Sequence, residues 1–345
     1  MTIIRKRFTH TLLPALLAAF AGFAACSSDD DAPEPPKPSG YDIYTAGYTT
    51  PASKAVATVW KNGQLLYTLT NGTNDAWAYA VCVSDGTVYA AGYERQGDRI
   101  VAKVWENGAD SYAYSVFAAN GSLYTAGSEE SGGALTAKIW KDGDALYAYS
   151  VSPAVSQARS VCVSGGDVYA AGSLQSGLTK PLAVVWKNDK AHYTLSDGET
   201  PAGVNALCLS GRTLYAAGHS GGAAAVWKDK ELLYTLTDGS SYAEATAVCR
   251  FGHTLYTAGY HTDGFEEEGV VWKEGQELFD LSDGPGSGSM PYSVAVCYDD
   301  IFTAGTIFGT TRTAVVWHGD EIRYTLSDGT GHSEAYSMYV VPLYD

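Results

Sequence analysis

Leu214-Tyr215-Ala216-Ala217-Gly218, followed by Ala225-Val226-Trp227 and then Leu232-Leu233-Tyr234-Thr235, is the stretch that decides the fold of this chain. Each piece is short, apolar and rich in residues that suit a pleated surface, and Gly or Asp lies between the pieces. The reading is therefore three strands joined by tight connections. The same phrase recurs along the chain. Its Trp residues are Trp60, Trp105, Trp140, Trp186, Trp227, Trp272 and Trp317, spaced 45, 35, 46, 41, 45 and 45 apart. The aromatic-Ala-Gly strands that precede them end at Gly47, Gly92, Gly127, Gly172, Gly218, Gly259 and Gly305.

Repeats of about 40–50 residues made of short strands specify a β-propeller, with one four-stranded blade per repeat. Seven repeats predict an all-β, seven-bladed β-propeller over residues 41–345. Neighbouring blades cover both faces of each sheet, so strands such as Val81-Cys82-Val83 read as apolar runs rather than as alternation. Asp85-Gly86, Asn120-Gly121, Asn62-Gly63 and Asp142-Gly143 supply the positive φ angles of two-residue hairpins, which places one set of connections on a flat rim. The other connections, Glu94 to Arg99 or His261 to Gly269 among them, are longer and differ in every repeat. Variable loops on one face of a rigid scaffold are where binding sits.

The first repeat begins at its second strand, Tyr41 to Tyr48, and the chain ends on a first strand, Ser337 to Val341. The C-terminal strand is therefore expected to complete the first blade and remove an open edge. One repeat is short. Only 12 residues separate Trp105 from the next strand marker, Phe117, which leaves Asn107 to Tyr114 to serve as a shortened fourth strand or a bare riser.

Residues 1–25 carry Arg5, Lys6 and Arg7, then an apolar run from Leu12 to Ala25. That run falls short of the ~20 residues that span a bilayer and reads as a secretory signal peptide. Pro33, Pro35, Pro36 and Pro38 make residues 26–40 an extended tether. Loss of the three leader cations takes the formal net charge from −16 to −19. Such a balance argues against nucleic acid and anionic lipid surfaces as partners. Cys82, Cys162, Cys208, Cys249 and Cys297 read as one repeated position, with Phe117 and Tyr339 in the other repeats. Stacked sheets sit about 10 Å apart, whereas a disulfide needs Cα atoms within about 7 Å, so these cysteines are expected to be buried and unpaired.

Counting back three and five residues from that marker reaches the long-loop rim near the central mouth. The candidates are Tyr292 and Val294, Glu334 and Tyr336, Trp77 and Tyr79, Tyr112 and Tyr114, Gln157 and Arg159, Gly203 and Asn205, Glu244 and Thr246. An arc of aromatics thus faces an arc of Gln, Arg, Asn and Glu. Two readings follow: a sugar or peptide site with rings for stacking and polar groups for orientation, or a channel plugged by its own side chains. The ligand-binding candidates are Trp77, Tyr79, Tyr112, Tyr114, Gln157, Arg159, Asn205, Glu244, Tyr292, Glu334 and Tyr336.

Catalytic readings are thinner. Glu244 and Glu334 lie two blades apart, which strains even the spacing of an inverting glycosidase. Ser84-Asp85-Gly86-Thr87 resembles the Asp-box turn of sialidases but falls in a hairpin, without an evident arginine triad. His219, His261 or His332 with a Tyr partner would suit a lyase. Neither a nucleophile elbow, a zinc-helix motif nor a phosphate loop occurs, and no cofactor or metal is expected. The recurrent Asx-Gly after each outer strand (Asn71, Asp197, Asp238, Asp283, Asp328) reads as an Asx-turn rather than a calcium site.

Phe23-Ala24-Ala25-Cys26 resembles the lipobox of bacterial lipoproteins, and Ser27-Ser28-Asp29-Asp30-Asp31 resembles the export signal of their surface-displayed members. The whole chain is similar to propeller lipoproteins of the Bacteroidota, and it lacks the Trp-Asp dipeptide of WD-type repeats and the glycine pair of kelch repeats. The resemblance implies lipidation at Cys26, membrane attachment through acyl chains alone, and display on the outer membrane as a monomer. The expected function is recognition of a glycan or protein ligand at the mouth. A polysaccharide-degrading lyase or glycosidase, or an envelope assembly partner, stands as the alternative.

Overall fold

The computed structural model describes residues 36–344 apart from 98, 105–110, 132–133, 150–153, 263–265, 282–287 and 328. It forms seven antiparallel sheets in a ring, six four-stranded and one three-stranded, with no helix among the described residues. Strands are lettered A to D from the inside of each blade outward. Blade five shows the plan: Ala202–Ser210 (A), Thr213–Ser220 (B), Ala223–Lys228 (C) and Glu231–Thr235 (D). The A strands of blades one to seven are Ser333–Leu343, Ala76–Ser84, Ser111–Ala119, Ala154–Ser164, Ala202–Ser210, Ala243–Phe251 and Ser289–Cys297. Each touches the next around the ring. The leader, Cys26 and most of the tether lie outside the described residues.

The ring closes as the sequence predicts. Ser333–Leu343 pairs with Gly40–Thr49 from Gly40↔Leu343 to Thr49↔Ser333, which places the last strand of the chain inside the first blade.

Between blades lies the core. C-strand Trp residues pack into the interface with the preceding blade: Trp227 shares a core cluster with Val185 and Leu195 of blade four, and Trp317 with Val271 and Leu281 of blade six. A buried Trp hides about 150–250 Å², on the order of 5 kcal/mol of transfer free energy before conformational entropy is charged against it. The five described cysteines are buried at these same interfaces and form no disulfide. Burial pushes the Cys82 thiol up to about 12 and the Cys297 thiol up to about 11.

The tight rim is built by local chemistry. Asn62 and Gly63 have φ of 50° and 80°, and Asp85 and Gly86 have 49° and 72°, the positive pair a two-residue hairpin requires. The first residue of the C–D turn does further work. Asn62, Asp142, Asn188 and Asp229 accept the N–H of Ile43, Leu123, Val168 and Leu214 at 2.8, 2.8, 3.0 and 3.0 Å, tying the turn to the start of strand B. After strand D, Asn71, Asp197 and Asp238 accept from Thr73, Glu199 and Ser240 N–H at 3.0, 2.9 and 2.9 Å, the geometry of an Asx-turn. Asp283 and Asp328 lie outside the described residues.

Two expectations are corrected. Ser111–Tyr114 is not an outer strand of blade two: it opens strand A of blade three, with Tyr112 paired to Ser128. Blade two is three-stranded among the described residues, and 107–110 fall outside them. Cys297 does not share the position of the other cysteines. Cys82, Cys162, Cys208 and Cys249 pair with Tyr89, Tyr169, Tyr215 and Tyr256, whereas Cys297 pairs with Asp300 at the hairpin, two residues further down its strand.

Candidate functional site

Every A strand carries a bulge near the long-loop rim. The register slips by one residue at Tyr336, Tyr79, Tyr114, Arg159, Asn205, Thr246 and Tyr292, in blades one to seven respectively. A bulge leaves one residue unpaired and re-aims its side chain. Here it also explains the periodic glycine. A Cβ on Gly47, Gly92, Gly172, Gly218, Gly259 or Gly305 would overlap the carbonyl oxygen of Glu334, Trp77, Gln157, Gly203, Glu244 or Met290, the residue just two places before the bulge.

In blades seven, one, two and three the bulge residue is Tyr, and the rings meet. Tyr292 and Tyr336 lie 5.2 Å apart edge to face, Tyr336 and Tyr79 4.6 Å, and Tyr79 and Tyr114 5.9 Å, centroid to centroid. Burial raises the pKa of Tyr79, Tyr292 and Tyr336 well above the ordinary phenol value, with the Glu334 carboxylate adding to the rise. These rings line their side of the mouth, each partly buried. Above them lies a second aromatic tier, where Trp77 packs 4.8 Å from Tyr93 and 6.2 Å from Tyr48. Tyr112 occupies the matching place in blade three by its backbone, and its side chain lies outside the description.

The opposite side is polar and cross-linked. Arg159 Nη1 donates to Asn205 Oδ1 at 3.1 Å, and Asn205 Nδ2 donates to Glu244 Oε2 at 3.3 Å and to the Ala245 carbonyl at 3.1 Å. The Tyr242 hydroxyl donates to the other oxygen of Glu244. His219 Nδ1 lies 3.6 Å from that oxygen, its ring fitted over Gly203, where a Cβ would come within 3.0 Å of Cε1. Burial holds His219 below the ordinary imidazole value, and the Glu244 carboxylate opposes the drop. Thr246 does not face a ligand freely, since its hydroxyl donates to Pro291 O at 2.6 Å. Gln157 sits beside Arg159 in the inner strand of blade four, paired with Ser173.

Glu334 stands apart. It is 3% exposed, and its Oε1 accepts from Tyr48 Oη at 3.1 Å and from Arg312 Nη1 at 2.6 Å. Those partners were not among the sequence candidates. Tyr48 and Tyr93 follow the strand-B glycine and pair across the ladder with Glu334 and Trp77, so that position was the available signal. Arg312 opens strand C of blade seven, at the end of a variable loop, and carried none; His332, just before Ser333–Leu343, was a candidate only as a lyase base. In blade seven the two-residue shift removes Val294 from the mouth: it pairs with Thr303 in mid-strand, and Met290 takes the upper position with Tyr292 at the bulge. Ser84-Asp85-Gly86-Thr87 is a plain A–B hairpin on the tight rim.

No known family and no curated protein matches the chain in sequence. Among solved structures it is similar to the Trypanosoma rangeli sialidase in complex with sialic acid, at 10% identity and a TM-score of 0.41, over 84% of this chain and 50% of that one. The chain thus spans half the length of that protein, and a likeness this distant says nothing of activity.

Proposed function

We propose that the protein is a surface-anchored recognition module that binds a glycan at the long-loop mouth and does not turn it over. The observation that carries this reading is the divided mouth: an aromatic tier around Trp77 on one side, and Arg159, Asn205 and Glu244 in a fixed hydrogen-bonded chain on the other. Sugars present apolar faces and many hydroxyls, and such a surface meets both needs with groups already oriented. The two mouth carboxylates are engaged, Glu334 by Tyr48 and Arg312 and Glu244 by Asn205 and Tyr242, rather than facing one another as an acid and base. The tyrosine cluster is the floor of the site rather than its contact surface.

His219 favours a second reading, a lyase. A half-buried imidazole beside a carboxylate that also holds the Tyr242 hydroxyl has the parts of a general base and acid. One experiment separates the two. Polysaccharides are titrated into the mature protein by calorimetry while absorbance is followed for unsaturated product. Recognition requires saturable binding without product, weakened about tenfold (~1.4 kcal/mol) or more by Trp77→Ala and by Arg159→Ala. Absorbing product that disappears in His219→Ala would replace it with the lyase.

A further inference from the structure

At the edge of the mouth, where blades one, two and seven meet, the surface opens into a groove of ≈ 350 Å³ whose lining includes Tyr48, Asp75, Trp77, Arg312 and His332. We propose that this groove is a subsite for a single uncharged pyranose ring, with Arg312 and His332 setting its specificity; the proposal rests on the glycan reading above. Its volume lies at the low end of ligand pockets, about 300–1,000 Å³, which suits one ring of a chain rather than a long segment.

The polar groups are held before any ligand arrives. Thr50 donates from N and from Oγ1 to the His332 carbonyl at 2.8 and 3.0 Å. Gly331 lets the loop lie flush there, because a Cβ would overlap Thr50 O. The backbone N–H of Arg312 donates to His332 Nδ1 at 3.1 Å, which makes Nδ1 the acceptor and puts the proton of the neutral ring on Nε2. The imidazole therefore presents a donor. Arg312 is fixed at one nitrogen by the buried Glu334, while its side chain is 55% exposed and lies 5.3 Å over the Phe308 ring. Its other N–H groups form a rigid fork for hydroxyl oxygens. Asp75 accepts from Ala55 N at 2.9 Å and keeps lone pairs for a sugar O–H. Trp77 supplies an apolar wall.

Charge selects the class of ring. Arg312 is balanced by Glu334 and Lys54 by Asp75, at 2.6 and 2.9 Å, so the groove has no surplus cation for a carboxylate or phosphate. Donors and acceptors without net charge match a neutral hexose or pentose, and an acidic sugar would face an already neutralised arginine in a strongly acidic protein. Because Trp77 and Glu334 also border the mouth, a chain with one ring in the groove continues over the tyrosine floor.

The test is a calorimetric titration of the mature protein with neutral glucan, mannan and xylan oligosaccharides and with oligogalacturonate. We expect a neutral oligosaccharide to bind, and both His332→Ala and the double variant Arg312→Gln/Glu334→Gln to weaken it at least tenfold. The double variant removes the ion pair without stranding a buried carboxylate, and thermal melts check that it folds. Wild-type affinity in both variants, with Arg159→Ala still weakening binding, would overturn the groove and leave the glycan reading standing. Preference for oligogalacturonate would overturn the neutral class. Failure of every oligosaccharide to bind would overturn both proposals.

Discussion

At Gly172 the backbone lies outside the left-handed region, and what excludes a side chain is the Gln157 carbonyl delivered by the bulge in the neighbouring strand. The same overlap recurs at Gly47, Gly92, Gly218, Gly259 and Gly305, so the repeated glycine is a packing requirement. Relieving it means moving backbone rather than a side chain. Gly172→Ala is therefore expected to destabilise the protein by about 3 kcal/mol, while Gly40→Ala, whose nearest neighbour is a Leu343 methyl at 3.8 Å, stays within about 0.5 kcal/mol of wild type. Urea denaturation checks both, and equal midpoints would refute the packing argument. The glycine period was plain in the sequence. Its cause was not, because a bulge is a relation between two strands and leaves no mark on either one. The eleven site candidates came from counting along strand A alone, and for the same reason that count could not supply the cross-strand partners Tyr48 and Arg312.

At the scale of strands, the turn residues and the Trp period were legible because each acts within a single hairpin. Asx-Gly pairs fix the tight rim whatever the rest of the chain does. The register of blade seven was misread because a slip of two residues keeps every side chain on the same face, and small apolar residues fit either setting. The fate of Ser111–Tyr114 turned on length alone, and length does not say to which blade a strand belongs. Closure by Ser333–Leu343 carries the sharpest consequence. Ending the chain after 328 removes the inner strand of blade one, bares the edge of Gly40–Thr49, and takes Glu334, Tyr336 and Met338 out of their interfaces. We expect a lower thermal midpoint and rapid cleavage by trypsin; an unchanged melt and digestion pattern would contradict closure as a source of stability.

For the molecule as a whole, direction matters. The Tyr298 hydroxyl, on the tight rim, donates to Pro36 O at 2.7 Å, and Ser39 N donates to Leu343 O at 2.8 Å, so the chain enters from the tight-turn side. With an acyl anchor at Cys26, as we propose, the long-loop mouth faces away from the membrane. In whole cells a maleimide polymer is then expected to label Ser53→Cys at the mouth, and Cys26→Ala to release the protein into the soluble fraction; labelling only after lysis would place the mouth inward. Composition, period and turn chemistry are local quantities, and by themselves they determined the number of blades, the two rims and the strand that closes the ring. The divided mouth and the groove were decided only by tertiary structure. Tyr48 and Glu334 are 286 residues apart along the chain and share a hydrogen bond because closure makes them neighbours in one sheet. Arg159, Asn205 and Glu244 meet across three blades for an equivalent reason: stacking brings together residues that no sequence interval connects.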